Sequence, residues 1–245
     1  MDEQGIHAQA DKMEKIRNWR EPVDHTGVLR FLGMVEYLSI FMPNVSSYTG
    51  PLQTICSNKQ IFRWTPLHQK CFNEIKRLTC RAPILKPIQW NPPENLSKEE
   101  RNKLHVWVIT DTCPAGMGAL IGQGEKWQTC RPAAFMSKKF TNTQHRYFAY
   151  ELEALGILEA LMRWQDDLMG GREFTVITDH KALEYFKAKN HNSGGHLRWQ
   201  AFFASFNCEW KTTKTKWQMH FHDTTTDTTT CLLMRICILT TTCQC

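Results

Sequence analysis

The chain has 245 residues, 42% hydrophobic and 22% charged, an ordinary globular balance with room for one large domain or two small ones. Its 30 Lys and Arg against 24 Asp and Glu leave a formal charge of +6, which permits contact with a phosphate backbone without demanding it. Disorder throughout is excluded, and no stretch approaches the roughly 18 consecutive apolar residues of a membrane span. Met1-Asp2-Glu3-Gln4 lacks the basic and apolar sections of a signal peptide, so a soluble, intracellular chain is expected, its compartment unspecified. Cys56, Cys71, Cys80, Cys113, Cys130 and Cys208 are scattered without C-x-x-C spacing and are expected to be reduced thiols. Cys231, Cys237, Cys243 and Cys245 crowd a Thr-rich end that needs a separate explanation.

Helical signals come first, from Lys15 to Trp19 and then from Thr26 to Phe41, where Val28, Leu29, Phe31, Leu32, Val35, Leu38 and Phe41 recur at three- and four-residue steps. Pro43 and Asn44 stop that helix. A third runs from Pro66 to about Arg81, with Cys71, Phe72, Ile75 and Leu78 on one stripe, before Ala82-Pro83 breaks it. Residues 88 to 103, with Asn91-Pro92-Pro93-Glu94-Asn95 and Lys98-Glu99-Glu100-Arg101, read as a polar insertion at a boundary.

Strand patterns follow: Leu104 to Thr110, Gly116 to Gly122 and Pro132 to Ser137, a set that suggests an antiparallel meander. A long helix from His145 to Met169 is ended by Gly170-Gly171. Glu173 to Thr178 returns as a strand, Lys181 to Lys187 as a short helix and His196 to Phe206 as another. The order implies an α/β (α+β) fold, a mixed sheet with helices packed on it. The organisation expected is a helical segment over 1–96, a sheet-bearing domain over 97–210 and an aberrant tail over 211–245.

Three acidic residues stand where this pattern places chemistry. Asp111 ends the first strand, Glu153 lies near the start of the long helix, and Asp179 ends the fourth strand. If the first and fourth strands pair in parallel through the helix crossover, both aspartates emerge at one sheet end and the helix can present Glu153 to the same spot. Carboxylates converging there repel one another unless divalent cations neutralise them, and hard oxygen ligands favour Mg²⁺ or Mn²⁺. Each residue also fits a plainer role: Asp111 starting a turn, Asp179 capping a helix, Glu153 facing solvent beside Glu151. Their order on this succession of elements is what sets them apart.

Ile109-Thr110-Asp111, Gly116-Met117-Gly118-Ala119-Leu120-Ile121, Tyr150-Glu151-Leu152-Glu153-Ala154-Leu155 and Phe174-Thr175-Val176-Ile177-Thr178-Asp179-His180-Lys181-Ala182-Leu183 together resemble the RNase H domain of gypsy-like LTR retrotransposon polyproteins. Upstream, Phe31-Leu32-Gly33-Met34, Tyr37, Phe41-Met42-Pro43-Asn44, Pro51-Leu52, Phe62-Arg63-Trp64-Thr65 and Ala82-Pro83-Ile84-Leu85 are similar to the thumb or connection segment that precedes RNase H. The resemblance covers roughly residues 5 to 210.

It implies an RNase H-like mixed five-stranded sheet with flanking helices, preceded by a small helical subdomain, and hydrolysis of RNA in an RNA:DNA hybrid. Asp111, Glu153 and Asp179 would hold two Mg²⁺ or Mn²⁺ ions, one activating water and the other stabilising the leaving 3′ oxygen. The choice of Glu153 follows the family's helix, with Glu151 as the fallback. Lys138, Lys139, Lys181 and Trp199 are the expected hybrid contacts, and other polyprotein chains are possible partners. The alternative is a non-catalytic hybrid-binding or connection module of a degenerate retroelement. Three retained carboxylates favour the nuclease, because a scaffold has no reason to hold three charges together at a desolvation cost.

Two features depart from that pattern. The Tyr-x-Asp-Asp turn of a polymerase palm is absent, since the only Asp-Asp, Asp166-Asp167, lies at a helix end, so polymerase chemistry is not expected. The family's fourth carboxylate, in a string resembling N-x-V-A-D-A-L-S-R, is also missing after Trp210. Reading codons from the third base of Lys214 permits that string. Both of its alanines are forced, by Trp217 with Gln218 and by Met219 with His220. The same shift accounts for Thr224 to Thr226 and Thr228 to Thr230. A frameshift near Lys211 is therefore expected, with the fourth aspartate lost where Met219 stands, activity impaired, and His220, His222 and Asp223 grouped by accident. The coding DNA tests this: the neighbouring frame should read A-D-A-L-S-R, and its absence there removes the frameshift.

Overall fold

The computed structural model describes residues 5–57, 61–169, 173–178 and 194–212, without the side chains of 194–196. The helical part comprises α1 (Ala10–Arg17), α2 (His25–Tyr37), a 3-10 turn (Ser39–Phe41), α3 (Ser46–Thr54) and α4 (Pro66–Cys80). Asp24 caps α2 by accepting the Gly27 amide at 2.6 Å, and Val28, Phe31 and Val35 bury one face. The helix expected to reach Phe41 ends at Tyr37, and the chain tightens into the 3-10 turn before Asn44 adopts a left-handed φ of 53°. Thr65 starts α4 in a capping box with His68, and Pro66 takes the first helical position, where its missing N–H costs nothing.

α5 (Lys98–Lys103) lies inside the stretch expected to be a polar insertion at a boundary. Its signal is Ser97-x-x-Glu100, a reciprocal cap in which Glu100 Oε2 accepts the Ser97 amide at 2.9 Å and Ser97 Oγ accepts the Glu100 amide at 3.2 Å. Beyond it come β1 (Val106–Cys113), β2 (Gly116–Gln123), β3 (Arg131–Lys139), α6 (Ala149–Arg163), α7 (Gln165–Leu168), β4 (Phe174–Thr178), α8 (Gly194–Ala204) and β5 (Cys208–Thr212). The single long helix expected from His145 is therefore α6 followed by the short α7.

The five strands form one mixed sheet in the order β3-β2-β1-β4-β5. β1 to β3 make the expected antiparallel meander, while β1 with β4 and β4 with β5 are parallel. In β5, Lys211 and Thr212 pair with Ile177 and Thr178, so the sheet takes in two residues that composition assigned to the tail. The glycine pair at 170–171, the short helix expected over 181–187 and the remainder of the tail, 213–245, lie outside the described residues.

Strand alternation divides the core between two sheet faces. Val106, Val108, Met117, Ala119, Ile121, Phe174 and Val176 share a core with Leu155 and Leu161 of α6, Phe203 of α8 and Phe206 just after it. Trp107, Leu120, Phe135 and Ile177 face the other way and join Ile16, Phe31, Phe72 and Ile75 of the helical segment. The first half of the chain is thus the cover of one sheet face. Hydrogen bonds strengthen the junction: Lys86 N–H to the Pro132 carbonyl at 2.8 Å and the Ser46 amide to Ser137 Oγ at 3.0 Å, while an isolated bridge between Ile6 and Leu85 ties the helical part's own ends together. The six described cysteines are free thiols, and burial pushes Cys71 and Cys130 up to about 11.

α6 lies directly on β1. A β-carbon built on Gly156 would overlap the Thr112 γ-methyl, so glycine is required there by contact rather than by backbone conformation. Gly156→Ala is expected to destabilise the chain by roughly 1–3 kcal/mol through overpacking, although alanine favours helix. Adding Thr112→Ser, which removes the methyl, restores most of the loss. Urea denaturation of the three proteins decides it, and an unchanged midpoint for Gly156→Ala would refute the close approach.

His105 gives a second handle. Its Nε2 is 2.8 Å from Thr175 Oγ1 and its ring centroid 4.5 Å from that of Trp107. Burial holds its pKa below the ordinary histidine value, nearby Lys211 adds to this, and Glu173 and Glu209 oppose it. Below about pH 6.5 the unfolded chain takes up a proton that the folded chain resists, so this contribution to stability is lost as pH falls toward the folded pKa. The stability of His105→Gln should fall less between pH 7 and 5 than the parent's, measured by denaturation at each pH.

Candidate functional site

The parallel pairing of β1 with β4, from Val106 opposite Phe174 to Ile109 opposite Ile177, brings the C-terminal ends of both strands to one sheet edge. Thr110 Oγ1 donates to the Ile177 carbonyl at 3.5 Å near that edge. Asp111 is half-buried and sits opposite Gly118 of β2. It shares the strand parity of Trp107 and Ile109, whereas Thr112 faces α6.

Glu153 is 7% exposed, an uncommon state for a carboxylate. Its place follows from Gly156 three residues later: the two share a helix face, so the contact that lowers α6 onto β1 also carries Glu153 to the sheet. There Thr178 Oγ1, at the end of β4, donates to Glu153 Oε2 at 3.4 Å. Glu151 is used differently. Its Oε2 accepts the Phe148 amide at 2.8 Å and closes the start of α6. Two residues apart on a helix point about 200° apart, so only one of this pair can face the sheet.

Asp179 directly follows Thr178 in the chain and lies outside the described residues, as does Lys181. The structure therefore sets Glu153 against the end of β4 and Asp111 on the adjoining strand, with the third carboxylate beyond what is described. Among the described residues no group of three or more His, Cys, Asp and Glu could hold a metal ion.

Of the expected hybrid contacts, Lys138 forms a 2.6 Å ion pair with Glu159 of α6. Lys139 lies along Gly50 of α3, its Cδ 3.1 Å from where a β-carbon would stand, and lines the crevice between α3 and the β1–β2 turn. Trp199 packs against the α6 face of the core, its ring centroid 6.4 Å from that of Tyr147. Sequence reasoning passed over Thr178, whose hydroxyl fixes Glu153, and the adjoining rings of Phe148 and Tyr150. For Phe148 the available signal was an aromatic residue immediately before a helix, a position that usually carries a polar cap. No described helix is long and apolar enough to cross a membrane.

Residues 102–206 match the family described as the RNase H-like domain found in reverse transcriptase. The chain is 26% identical over 210 residues to the transposon Tf2-3 and Tf2-4 polyproteins of Schizosaccharomyces pombe, an alignment covering 84% of this chain and 15% of each relative. It thus spans about a seventh of the length of the curated relatives it matches. Among solved structures, a foamy viral protease-reverse transcriptase in complex with RNA/DNA hybrid superposes with a TM-score of 0.72 at 20% identity, covering 91% of this chain and 30% of that one. A foamy viral protease-reverse transcriptase in complex with dsDNA gives 0.67 at 18% identity, covering 85% and 42%. These structural likenesses establish the RNase H-like fold.

Proposed function

We propose that the chain, whose residues 102–206 match the RNase H-like domain found in reverse transcriptase and which is similar to transposon Tf2 polyproteins, is a ribonuclease H, hydrolysing RNA within an RNA:DNA hybrid. The observation that carries this reading is the buried Glu153 carboxylate held by Thr178 at the end of β4, beside the strand that bears Asp111. Burying an acid there costs free energy that an apolar residue would not, and carboxylates kept at such a cost cluster at functional sites. The solved foamy viral complex with an RNA/DNA hybrid supports the choice of duplex.

Asp111, Glu153 and Asp179 are the proposed ligands, an all-carboxylate set that suits Mg²⁺ or Mn²⁺. Two such ions, when bound, would supply the Lewis acidity and charge neutralisation for phosphodiester hydrolysis. The chain's own part is positional. Glu151 fixes the start of α6, Gly156 sets its depth against β1, and Thr178 orients Glu153. Lys138, Lys139, Lys181 and Trp199 are the proposed hybrid contacts, reading backbone and shape rather than sequence. Loss of the fourth carboxylate by frameshift would leave the activity impaired.

The test is cleavage of an end-labelled RNA:DNA hybrid with Mg²⁺ or Mn²⁺. Asp111→Asn and Glu153→Gln are expected to lower the rate roughly a hundredfold or more, since direct ligands outweigh the 10–100-fold typical of outer-shell partners. Glu151→Ala should lower cleavage far less than either ligand change, while losing about 1 kcal/mol of stability with its cap. Equal cleavage by Asp111→Asn and the parent removes the assigned site. Hybrid binding with no cleavage by any of them leaves a non-catalytic module.

A further inference from the structure

Phe148 is 69% exposed, and its ring is nearly parallel to that of Tyr150, 5° apart with centroids 5.8 Å from each other. The pair stands at the start of α6. Tyr150 shares a helix face with Glu153 three residues on, and Phe148 lies about 7 Å before Glu153 along the axis. The capping box fixes the backbone under both rings, through the Phe148 amide on Glu151 and the Glu151 amide on the Phe148 carbonyl at 2.9 Å. His145 and Arg146, both exposed, lie in the 3-10 turn just upstream, with Tyr147 between them and Phe148. An open aromatic plane near a cation, Arg146, at the edge that bears a buried carboxylate, is the combination that binds an unpaired nucleotide: the ring takes the base and the guanidinium takes the phosphate. A duplex presents no free base faces, because its own stack uses them. A protein partner is a poorer fit, since a patch of two rings is far below the roughly 800 Å² per side of a stable interface.

We propose that Phe148, backed by Tyr150, is a stacking platform for an unpaired base flanking the hybrid, so that the preferred substrate is a hybrid with a single-stranded extension rather than a blunt one. This rests on the hybrid-binding reading above. Phe148 is a positioning residue here, gripping the substrate beside the reacting strand.

The experiment compares binding of the full chain to a blunt RNA:DNA hybrid and to the same hybrid carrying a short single-stranded extension, by fluorescence anisotropy in EDTA so that nothing is cleaved. The extension should tighten binding fivefold to a hundredfold, the span roughly covered by one base–aromatic stack. Phe148→Ala and Phe148→Leu should abolish that gain and leave the blunt hybrid unchanged, whereas Phe148→Trp keeps it. Asp111→Asn should also keep it while losing cleavage in Mg²⁺, which separates the platform from the nuclease reading. No gain in the parent, a gain surviving in Phe148→Leu, or equal weakening on both duplexes would overturn the platform. A parent that binds neither duplex would overturn it together with the hybrid reading.

Discussion

A parallel pair of strands cannot be joined by a tight turn. The chain between β1 and β4 must cross over, and α6 is the element that makes the crossing. For the crossing helix to carry a side chain to the strand ends it must lie close to the sheet, and the distance is set at one point, where Gly156 meets Thr112. A larger residue there would lift the helix and withdraw Glu153 from Thr178. Parallel register then fixes which ends coincide, because both strands run toward the edge where Thr110 reaches the Ile177 carbonyl. The candidate site is therefore a product of one helix–strand contact and one strand pairing.

The same arrangement explains why two glutamates two residues apart do different work. Turned about 200° from each other on the helix, they face different surroundings: Glu151 accepts the Phe148 amide at the exposed helix start, and Glu153 is enclosed. A carboxylate at the first turn is stabilised by the helix's own unsatisfied amides, whereas one two residues deeper, on the opposite side of the helix, meets the sheet and needs a donor from it. Thr178 is that donor. The division needs no difference in residue type, only a difference in angle.

The order of strands and the crossover helix were legible because alternation, apolar stripes and breakers such as Pro43 and Ala82-Pro83 are local signals. What escaped was set by packing or by reciprocal side-chain bonds. α3 contains Gly50 and Pro51, poor helix formers that tertiary contacts tolerate. α5 is polar on all sides and announces itself only through Ser97 and Glu100. β5, five residues at a sheet edge, alternates too briefly to stand out and is held by pairing with β4. The fallback between Glu151 and Glu153 was equally beyond local reading, since it turns on where one helix face meets a sheet that the sequence does not place.

The helical segment matters to the site through the face it covers. An isolated sheet with helices on one side would expose Trp107, Leu120, Phe135 and Ile177 to water, and strands left open on that face have little to fix their register. With the 3-10 turn and α3 against β3, and Phe31 and Phe72 meeting behind them at 4.6 Å between ring centroids with Trp19 closing on Phe31 at 5.7 Å, a packed layer covers the sheet on the side opposite α6. β1 is central to both layers: Trp107 turns toward the helical segment and Val106 and Val108 toward α6. Strain introduced on either side reaches the strand that carries Asp111, so the geometry at the sheet edge depends on residues far away in sequence. A change in the first eighty residues that loosens this cover would disturb the carboxylate edge without touching it.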